Sequence, residues 1–264
     1  MSELSINVPT MADMMAAGQQ PEVLFWVGCS GSFDDRAKKI TKAFVKLLNS
    51  AGVSFAVLGT EESCTGDPAK RAGNEFLFQM QAMANIEVLN AYDIKKIVTA
   101  CPHCFNTIKN EYPGLGGTYE VVHHTEFLKG LLADGRLTIE GGQFKGKKIT
   151  FHDPCYLGRA NNIYEAPREL IEKLDAELVE MKRSRRNGLC CGAGGAQMFK
   201  EPEKGDKDVN VERTEDALET QPEIIAAGCP FCNTMLTDGV KAKNREHDIK
   251  VMDVAELIAN ANDL

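Results

Sequence analysis

The residues with the most chemical potential are two adjacent cysteines followed by a glycine-rich turn, Cys190-Cys191-Gly192-Ala193-Gly194. Neighbouring cysteines do not readily pair with each other, because a disulfide needs Cβ atoms that face one another at short range. Glycine lets the backbone approach a bound group closely and turn its N–H groups towards it. Thiolate ligands, with backbone amides donating to sulfur, are features of an iron–sulfur site. The stretch therefore predicts a cluster held by Cys190 and Cys191 as the catalytic pair and approached by Gly192 and Gly194.

Eight of the nine cysteines form two sets of four with nearly the same spacing. The first set is Cys29, Cys64, Cys101 and Cys104, and the second is Cys155, Cys190, Cys229 and Cys232. In both sets 35 positions separate the first two cysteines, and the last two enclose a Cys-Pro-x-Cys motif. The interval between the second and third is 37 positions in the first set and 39 in the second. We infer that the chain consists of two copies of one unit. The ninth cysteine, Cys191 in the second copy, is matched by Thr65 in the first.

Both halves alternate short apolar runs, typical of buried strands, with segments of helical periodicity. Four of these runs end at a cysteine or a few residues before one: residues 22–28, 96–100, 149–152 and 223–227. The order predicts an α/β fold of two pseudo-twofold-related repeats, each a small, mostly parallel sheet flanked by helices. Because ligands bind at the carboxyl ends of parallel strands, we expect the cysteines along one rim of each sheet.

The predicted domains follow the duplication. An N-terminal tail would occupy residues 1–21, a first cysteine-rich domain residues 22–145 and a second residues 146–264. Glycines and lysines in residues 141–147 mark a turn-rich join between the two domains.

Composition and charge exclude several classes of protein. The formal net charge of −8 disfavours a nucleic-acid surface, which is normally basic. No apolar run approaches the roughly 20 residues of a membrane helix, and residues 1–20 lack the pattern of a secretory signal. In a reducing compartment, clustered cysteines favour metal or redox chemistry over disulfides. We expect a cytoplasmic protein that reaches the cytoplasmic membrane face only peripherally, through a partner.

The number of thiols in each half limits the metal that it could hold. The second half offers five: Cys155, Cys190, Cys191, Cys229 and Cys232. Tetrahedral zinc takes four ligands, so five favour an iron–sulfur cluster, with zinc or dithiol chemistry as alternatives. The first half offers four, which suit a cubane cluster or zinc equally well and would also fit a site that no longer binds metal.

Several other side chains are weaker candidates. His152 is a candidate donor to a cluster sulfide or an ordinary hydrogen-bonded histidine at a strand end, and His103 is a candidate for the missing ligand of the first half. Three arginines are candidates for neutralising cluster charge, for binding an anionic substrate or for surface ion pairs: Arg71, Arg159 and Arg213. Trp26 and the two methionines of the long helix, Met80 and Met83, are predicted to be core residues.

The following five motifs resemble those of a known family. They are Cys64-Thr-Gly-Asp-Pro-Ala-Lys-Arg71, Cys101-Pro-His-Cys-Phe-Asn-Thr107, His152-Asp-Pro-Cys-Tyr-Leu-Gly-Arg159, Cys190-Cys-Gly-Ala-Gly-Gly195 and Cys229-Pro-Phe-Cys232. Together they resemble the cysteine-rich CCG domain found in the B component of heterodisulfide reductase. They are still more similar to iron–sulfur oxidoreductases of the lactate-utilisation, glycolate-oxidase and electron-transfer-flavoprotein:quinone type. The resemblance covers residues 23–257 and implies a non-cubane [4Fe-4S] cluster on the five second-half cysteines, with a degenerate site in the first half.

The resemblance also implies a function. The chain would be an iron–sulfur subunit of a multi-subunit oxidoreductase, active only with its partner subunits. It would pass electrons between a flavoprotein or ferredoxin-like partner and a quinone or disulfide acceptor. Larger relatives carry ferredoxin-type C-x2-C-x2-C-x3-C runs and this sequence has none, so a separate subunit is expected to bring them. The alternatives are a non-catalytic zinc scaffold that docks partner subunits and a thiol–disulfide enzyme that works through Cys229 and Cys232.

Overall fold

The computed structural model describes residues 6–140, 142–201 and 204–264. The first five residues of the predicted tail, and Gly141 of the predicted join, lie outside the described residues. The chain divides into two compact units, the first ending at Thr138 and the second spanning Ile139–Asp263.

The first unit is built on a parallel sheet. Its helices and strands are α1 (Met11–Ala16), β1 (Val23–Trp26), α2 (Gly28–Phe33), α3 (Ala37–Ser50), β2 (Phe55–Ala56), α4 (Asp67–Arg71), α5 (Glu75–Ala91), β3 (Lys96–Thr99), α6 (Pro102–Asn106), β4 (Glu120–His123) and α7 (His124–Ala133). Within the described part of the chain, the four strands are all parallel and ordered β2-β1-β3-β4. Trp26, at the end of β1, lies opposite Thr99 at the end of β3.

The second unit repeats this plan. Its elements are β5 (Lys148–His152), α8 (Glu165–Glu172), β6 (Glu177–Leu178), α9 (Val209–Glu219), β7 (Ile224–Ala227), α10 (Pro230–Ala242), β8 (Lys250–Asp253) and α11 (Val254–Ala261). As described, its four strands are again parallel and ordered β6-β5-β7-β8, and His152 lies opposite Ala227. The predicted α/β class of two sheet-and-helix repeats is confirmed.

The central strands and the helices bury their apolar residues as the sequence pattern predicts. Every residue of β1 and β7 is buried, as expected for parallel strands covered on both faces. The helix α3 buries Ile40, Phe44 and Leu47, which share one face. None of the described helices combines the length and apolar character that a bilayer crossing requires.

The prediction that Met80 and Met83 are core residues is wrong. Their exposed fractions are 54% and 59%, whereas Phe78, Ala82 and Ile86 form the buried face of α5. The helix carries apolar residues on all sides, so the sequence pattern could not identify the buried face. Trp26 is fully buried, as predicted.

We predict that Gly239→Ala destabilises the second unit. A Cβ at this position of α10 would overlap the Thr214 hydroxyl of α9 and lie 3.0 Å from the backbone oxygen of Asn210. The Thr214 hydroxyl could rotate away but the backbone of Asn210 could not, so the free energy of unfolding should fall by about 1–3 kcal/mol. Gly130→Ala is the control: it is an exposed position of α7 with open space around it, where alanine should stabilise by about 0.5–1 kcal/mol. Urea unfolding followed by circular dichroism measures both, and equal effects would contradict the close packing of α9 and α10.

Candidate metal centres

In each unit the cysteines flank the point where the strand order reverses. This point lies between β1 and β3 in the first sheet and between β5 and β7 in the second. Cys29 and Cys101 follow β1 and β3, and Cys155 and Cys229 follow β5 and β7. Connections leave such a point on opposite faces of the sheet and open a crevice at the carboxyl ends of the strands. Two cysteines of each set therefore lie at the crevice that open α/β sheets use for ligands.

The five sulfur atoms of the second unit form one continuous series of contacts. The contacting pairs are Cys155–Cys190, Cys190–Cys191, Cys191–Cys232 and Cys232–Cys229. The Sγ atoms of Cys191 and Cys232 lie 3.2 Å apart, well beyond the roughly 2.05 Å of a disulfide. All nine cysteines are among the described residues and all are free thiols. The structure therefore brings together all five cysteines that the sequence pattern assigned to this site.

Helix geometry accounts for the Cys-Pro-x-Cys pair of the second unit. Cys229 precedes α10, and Pro230 occupies the first helical position, where no backbone N–H is required. Cys232 lies three positions after Cys229, so both side chains emerge on the same side of the first turn. Both are buried. Hydrogen bonds with Cys191 and Cys229, together with burial, raise the pKa of Cys232 well above its usual range. A buried pair with a poorly ionised thiol does not suit thiol–disulfide exchange, which needs an accessible thiolate.

The Cys190-Cys191 loop is shaped by glycine. Gly192 has a φ of +93°, and its N–H donates to the Cys190 sulfur at 3.3 Å. A Cβ on Gly192 would lie 3.2 Å from Val209, so the loop could not pack as closely with a larger residue. Gly194 lies in the next turn, where its carbonyl accepts the N–H of Gln197. The loop thus directs one backbone amide towards sulfur at Gly192, and its second predicted glycine shapes the turn.

The thiols of the second unit differ in acidity although they touch. Hydrogen bonds from Cys155 and Cys191 hold the pKa of Cys190 far below its usual range, with a further contribution from the Gly192 N–H. The same contacts, together with burial, raise the pKa of Cys155 above the usual range and that of Cys191 to about 12. Among Cys155, Cys190, Cys191 and Cys232, Cys190 is therefore the thiol that ionises most readily.

The first unit has four thiols and a threonine in the same arrangement. Its sulfur contacts are Cys29–Cys64 and Cys101–Cys104. Thr65 is buried, and its hydroxyl lies 4.0 Å from the Cys104 sulfur, as Cys191 lies against Cys232 in the second unit. Gly28 has a φ of +77°, and a Cβ there would lie 3.3 Å from the Cys104 sulfur. Thr65 thus fills the position of the fifth cysteine and still points into the site.

The histidines of the first unit are held by protein groups. His103, inside the first Cys-Pro-x-Cys motif, makes a 2.9 Å hydrogen bond through Nδ1 to Asp67. Asp67 in turn accepts from Arg71 at 3.1 Å. His123 ends β4 and His124 begins α7.

Charged side chains are buried next to His152 in the second unit. Arg213 of α9 is fully buried, so a surface ion pair is excluded for it. Its Nε donates to Nδ1 of His152 at 2.9 Å, and its Nη1 donates to the Arg183 carbonyl at 2.7 Å and to Asp216 at 3.2 Å. Burial and the neighbouring Arg213 lower the pKa of His152 to about 3. A ring nitrogen of His152 and the sulfurs of Cys191 and Cys232 all lie within 4.8 Å of one another.

Sequence reasoning missed the carboxylates of this region. Asp216 also accepts two hydrogen bonds from Arg183, each at 2.7 Å. Asp153, next to His152, accepts two hydrogen bonds from the buried Arg168. The spacing of Arg213 and Asp216, three apart on one helix, was the available signal, since such residues are neighbours on the helix surface.

The donor set of the second unit fits an iron–sulfur cluster. Five sulfurs in contact exceed the four ligands of tetrahedral zinc, and thiolates are the usual protein ligands of such clusters. The buried N–H groups nearby, including Nε2 of His152 and Nη2 of Arg213, have no hydrogen-bond partner among the described residues. They would suit a group that presents further acceptors, such as sulfide.

Comparisons with known proteins agree with this donor set. The model of the cysteine-rich domain CCG matches the chain twice, at residues 23–109 and 149–237. The probable iron–sulfur-binding oxidoreductase FadF of Bacillus subtilis is 51% identical over 97% of this chain and 36% of its own length. The EtfAB:quinone oxidoreductase of Syntrophomonas wolfei is 46% identical over 92% of this chain and 35% of its own length. The D component of the dihydromethanophenazine:CoB–CoM heterodisulfide reductase of Methanosarcina barkeri is 35% identical over 91% of this chain and 59% of its own length. The chain thus spans about a third of the first two relatives.

We predict that alkylation of the reduced, metal-free chain begins at Cys64 and Cys190. These are the second cysteines of the two sets. The pKa of Cys64 is lowered to about 7 by a hydrogen bond from Cys29, and that of Cys190 is lowered further. Cys29 and Cys155 are the internal controls, since they are also half-buried but have raised pKa values.

Brief iodoacetamide treatment at pH 7, followed by peptide mass spectrometry, ranks the nine thiols by rate. Faster labelling of Cys29 than Cys64, or of Cys155 than Cys190, would contradict the predicted order of acidity.

Proposed function

Because the chain belongs to the family of cysteine-rich CCG domains, we propose that it is the iron–sulfur electron-transfer part of a larger oxidoreductase. The observation that carries the proposal is the unbroken series of contacts among five thiols at the crevice of the second sheet. The names of its relatives, an iron–sulfur-binding oxidoreductase and a quinone oxidoreductase among them, support the same chemistry.

The proposed cofactor of the second unit is a [4Fe-4S] cluster of the non-cubane type. Its ligands would be Cys155, Cys190, Cys191, Cys229 and Cys232, with Gly192 and Gly194 shaping the backbone around it. When bound, the cluster supplies one-electron oxidation and reduction. The number of thiols supports this type, because a cubane cluster or a zinc ion leaves one of the five unused.

The five cysteine side chains of the second site fall into a buried group and a half-buried group. Cys191, Cys229 and Cys232 are buried and would keep water from the inner side of the site. Cys155 and Cys190 are half-buried, so an electron partner would approach on their side. Cys190 and Cys191 would be the catalytic pair, since the pKa of Cys190 is lowered and Cys191 links it to Cys232.

The first unit would hold a second iron–sulfur cluster of the cubane type, or zinc, on Cys29, Cys64, Cys101 and Cys104. Thr65 supports a four-ligand site, since a neutral hydroxyl is not among the usual protein ligands of such clusters. The domains proposed for the two sites remain residues 22–145 and 146–264, with a preceding tail at 1–21.

The proposed partners follow from the electron balance. Two electrons and two protons convert a quinone to a quinol or a disulfide to two thiols. The donor would be a flavoprotein or a ferredoxin-type iron–sulfur module, on a partner subunit or on a further part of a longer polypeptide. The names of the quinone oxidoreductase and of the heterodisulfide reductase component support these acceptors, and mechanistic likeness to the B component of heterodisulfide reductase is part of the proposal. The site would work on the cytoplasmic side, with membrane contact through a partner.

Metal analysis of oxygen-free protein tests the proposal. Iron and sulfide are quantified before and after reconstitution with ferrous iron and sulfide. Electron paramagnetic resonance (EPR) then follows reduction by dithionite and re-oxidation by a water-soluble quinone or a small disulfide. We expect iron and sulfide in stoichiometric amounts and a signal that either oxidant removes. A colourless protein that keeps zinc alone after reconstitution would instead support the scaffold alternative.

We predict that Cys191→Ser abolishes the EPR signal of the second site. The serine has nearly the same shape as the cysteine but removes the sulfur that joins Cys190 to Cys232. Thr65→Ser is the matched control at the equivalent position of the first unit, and it should leave both signals unchanged. Retention of the second-site signal with full iron content in Cys191→Ser would contradict a five-thiolate site.

We predict that Thr65→Cys changes the cluster type of the first site. The new sulfur would lie beside Cys104, where the hydroxyl is now 4.0 Å from that sulfur. The EPR spectrum of the first site should then approach that of the second. An unchanged spectrum would show that the fifth ligand does not decide the cluster type.

A further inference from the structure

The two ring nitrogens of His152 have different surroundings. Nδ1 lies 2.9 Å from Nε of Arg213. A guanidinium group only donates hydrogen bonds, so Nδ1 must accept and cannot itself carry a proton. The imidazole proton must then be on Nε2, which makes Nε2 a donor.

The donor on Nε2 is buried close to the thiols. His152 is fully buried, and Nε2 has no hydrogen-bond partner among the described residues. A ring nitrogen of His152 lies within 4.8 Å of the sulfurs of Cys191 and Cys232. A buried N–H without a partner is unfavourable, because it has lost its hydrogen bond to water. Such a donor next to five thiols suits a site whose bound group supplies acceptor atoms.

Arg213 is itself held in place, so it can fix the histidine. Its Nη1 donates to the backbone carbonyl of Arg183 and to Asp216, while Asp216 is also held by the Arg183 side chain. These contacts come from a loop and from α9, and they leave Nε directed at His152. The orientation of His152 is thus set by a network that does not include the thiols.

The first unit provides an internal comparison for His152. Trp26 occupies the position of His152: it ends β1 as His152 ends β5, and it lies three residues before Cys29 as His152 lies before Cys155. The indole Nε1–H of Trp26 is also buried, and no described residue accepts from it. An indole N–H only donates and cannot bind a metal. In both units, therefore, the last residue of the first strand presents a buried N–H donor and not a lone pair.

We propose that Arg213 holds His152 as its Nε2–H tautomer, so that His152 donates a hydrogen bond to sulfur of the group bound at Cys191 and Cys232 and does not ligate metal. The inference rests on the proposed iron–sulfur site. His152 is then a positioning and tuning residue, and Arg213 keeps it out of the ligand set. A hydrogen bond to a cluster sulfur stabilises the more negative, reduced state and raises the reduction potential.

The tautomer can be tested in the metal-free wild-type chain. Long-range proton–nitrogen NMR correlations of the imidazole rings distinguish a protonated Nε2 from a protonated Nδ1. We expect His152 as the Nε2–H form in the wild type. The Nδ1–H form in the wild type would overturn the inference whether or not the chain binds a cluster. This measurement can therefore fail independently of the proposed function.

The hydrogen bond to sulfur is tested on the reconstituted chain with two variants. In His152→Gln the side-chain amide would keep an N–H near the position of Nε2, so this variant should retain the midpoint potential measured by EPR redox titration. His152→Leu removes the donor and should lower the potential at unchanged iron content. A potential that is the same in the wild type and in His152→Leu would overturn the inference, as would loss of iron in both variants, which is the behaviour of a ligand.

Discussion

The second unit is constrained by the contact of five thiol groups in a largely buried space. Each thiolate raises the cost of ionising its neighbours, and burial adds to that cost. The thiols accordingly differ in acidity: the pKa of Cys190 is lowered, whereas the pKa values of Cys155 and Cys232 are raised. A site that must become fully ionised to bind metal needs positive charge from the metal and from the protein. The buried guanidinium of Arg213, which interacts electrostatically with Cys232, is a positive charge that the fold provides.

The two halves differ in ways that follow from this constraint. Arg213 lies 11 positions before β7, and the residue 11 positions before β3 is Asn85. Asn85 is buried as well, but it is neutral and donates to the Cys64 carbonyl at 3.0 Å. The unit with five thiols thus has a cation where the unit with four thiols has an amide. Thr65 in place of Cys191 and Asn85 in place of Arg213 fit the same constraint, since a smaller negative charge needs less compensation.

The fold and the clustering of the cysteines could be predicted from the sequence, but the side chains that surround the cysteines could not. Equal spacing and strand-like runs before Cys29 and Cys155 predicted two parallel sheets, because strand order and the right-handed crossover leave few alternatives. The exposed Met80 could not be predicted, since a helix that is apolar on all sides has no face preference. The burial of Arg213 was equally hidden, because it depends on contacts with His152 and Arg183, which are 61 and 30 positions away. Such contacts are set by packing and leave no local pattern.

Because of the duplication, the same side of each site is exposed to solvent. The thiols of the two Cys-Pro-x-Cys motifs are buried, whereas Cys29 and Cys64 in one unit and Cys155 and Cys190 in the other are half-buried. The buried pairs are anchored at helix starts, where the first turn covers them. The half-buried pairs follow the first and second strands of each unit, and they include Cys64 and Cys190, whose pKa values are lowered. Under the proposed function, an electron partner would meet each site through these loops, so differences between partners should be encoded there and not in the helix-anchored pairs.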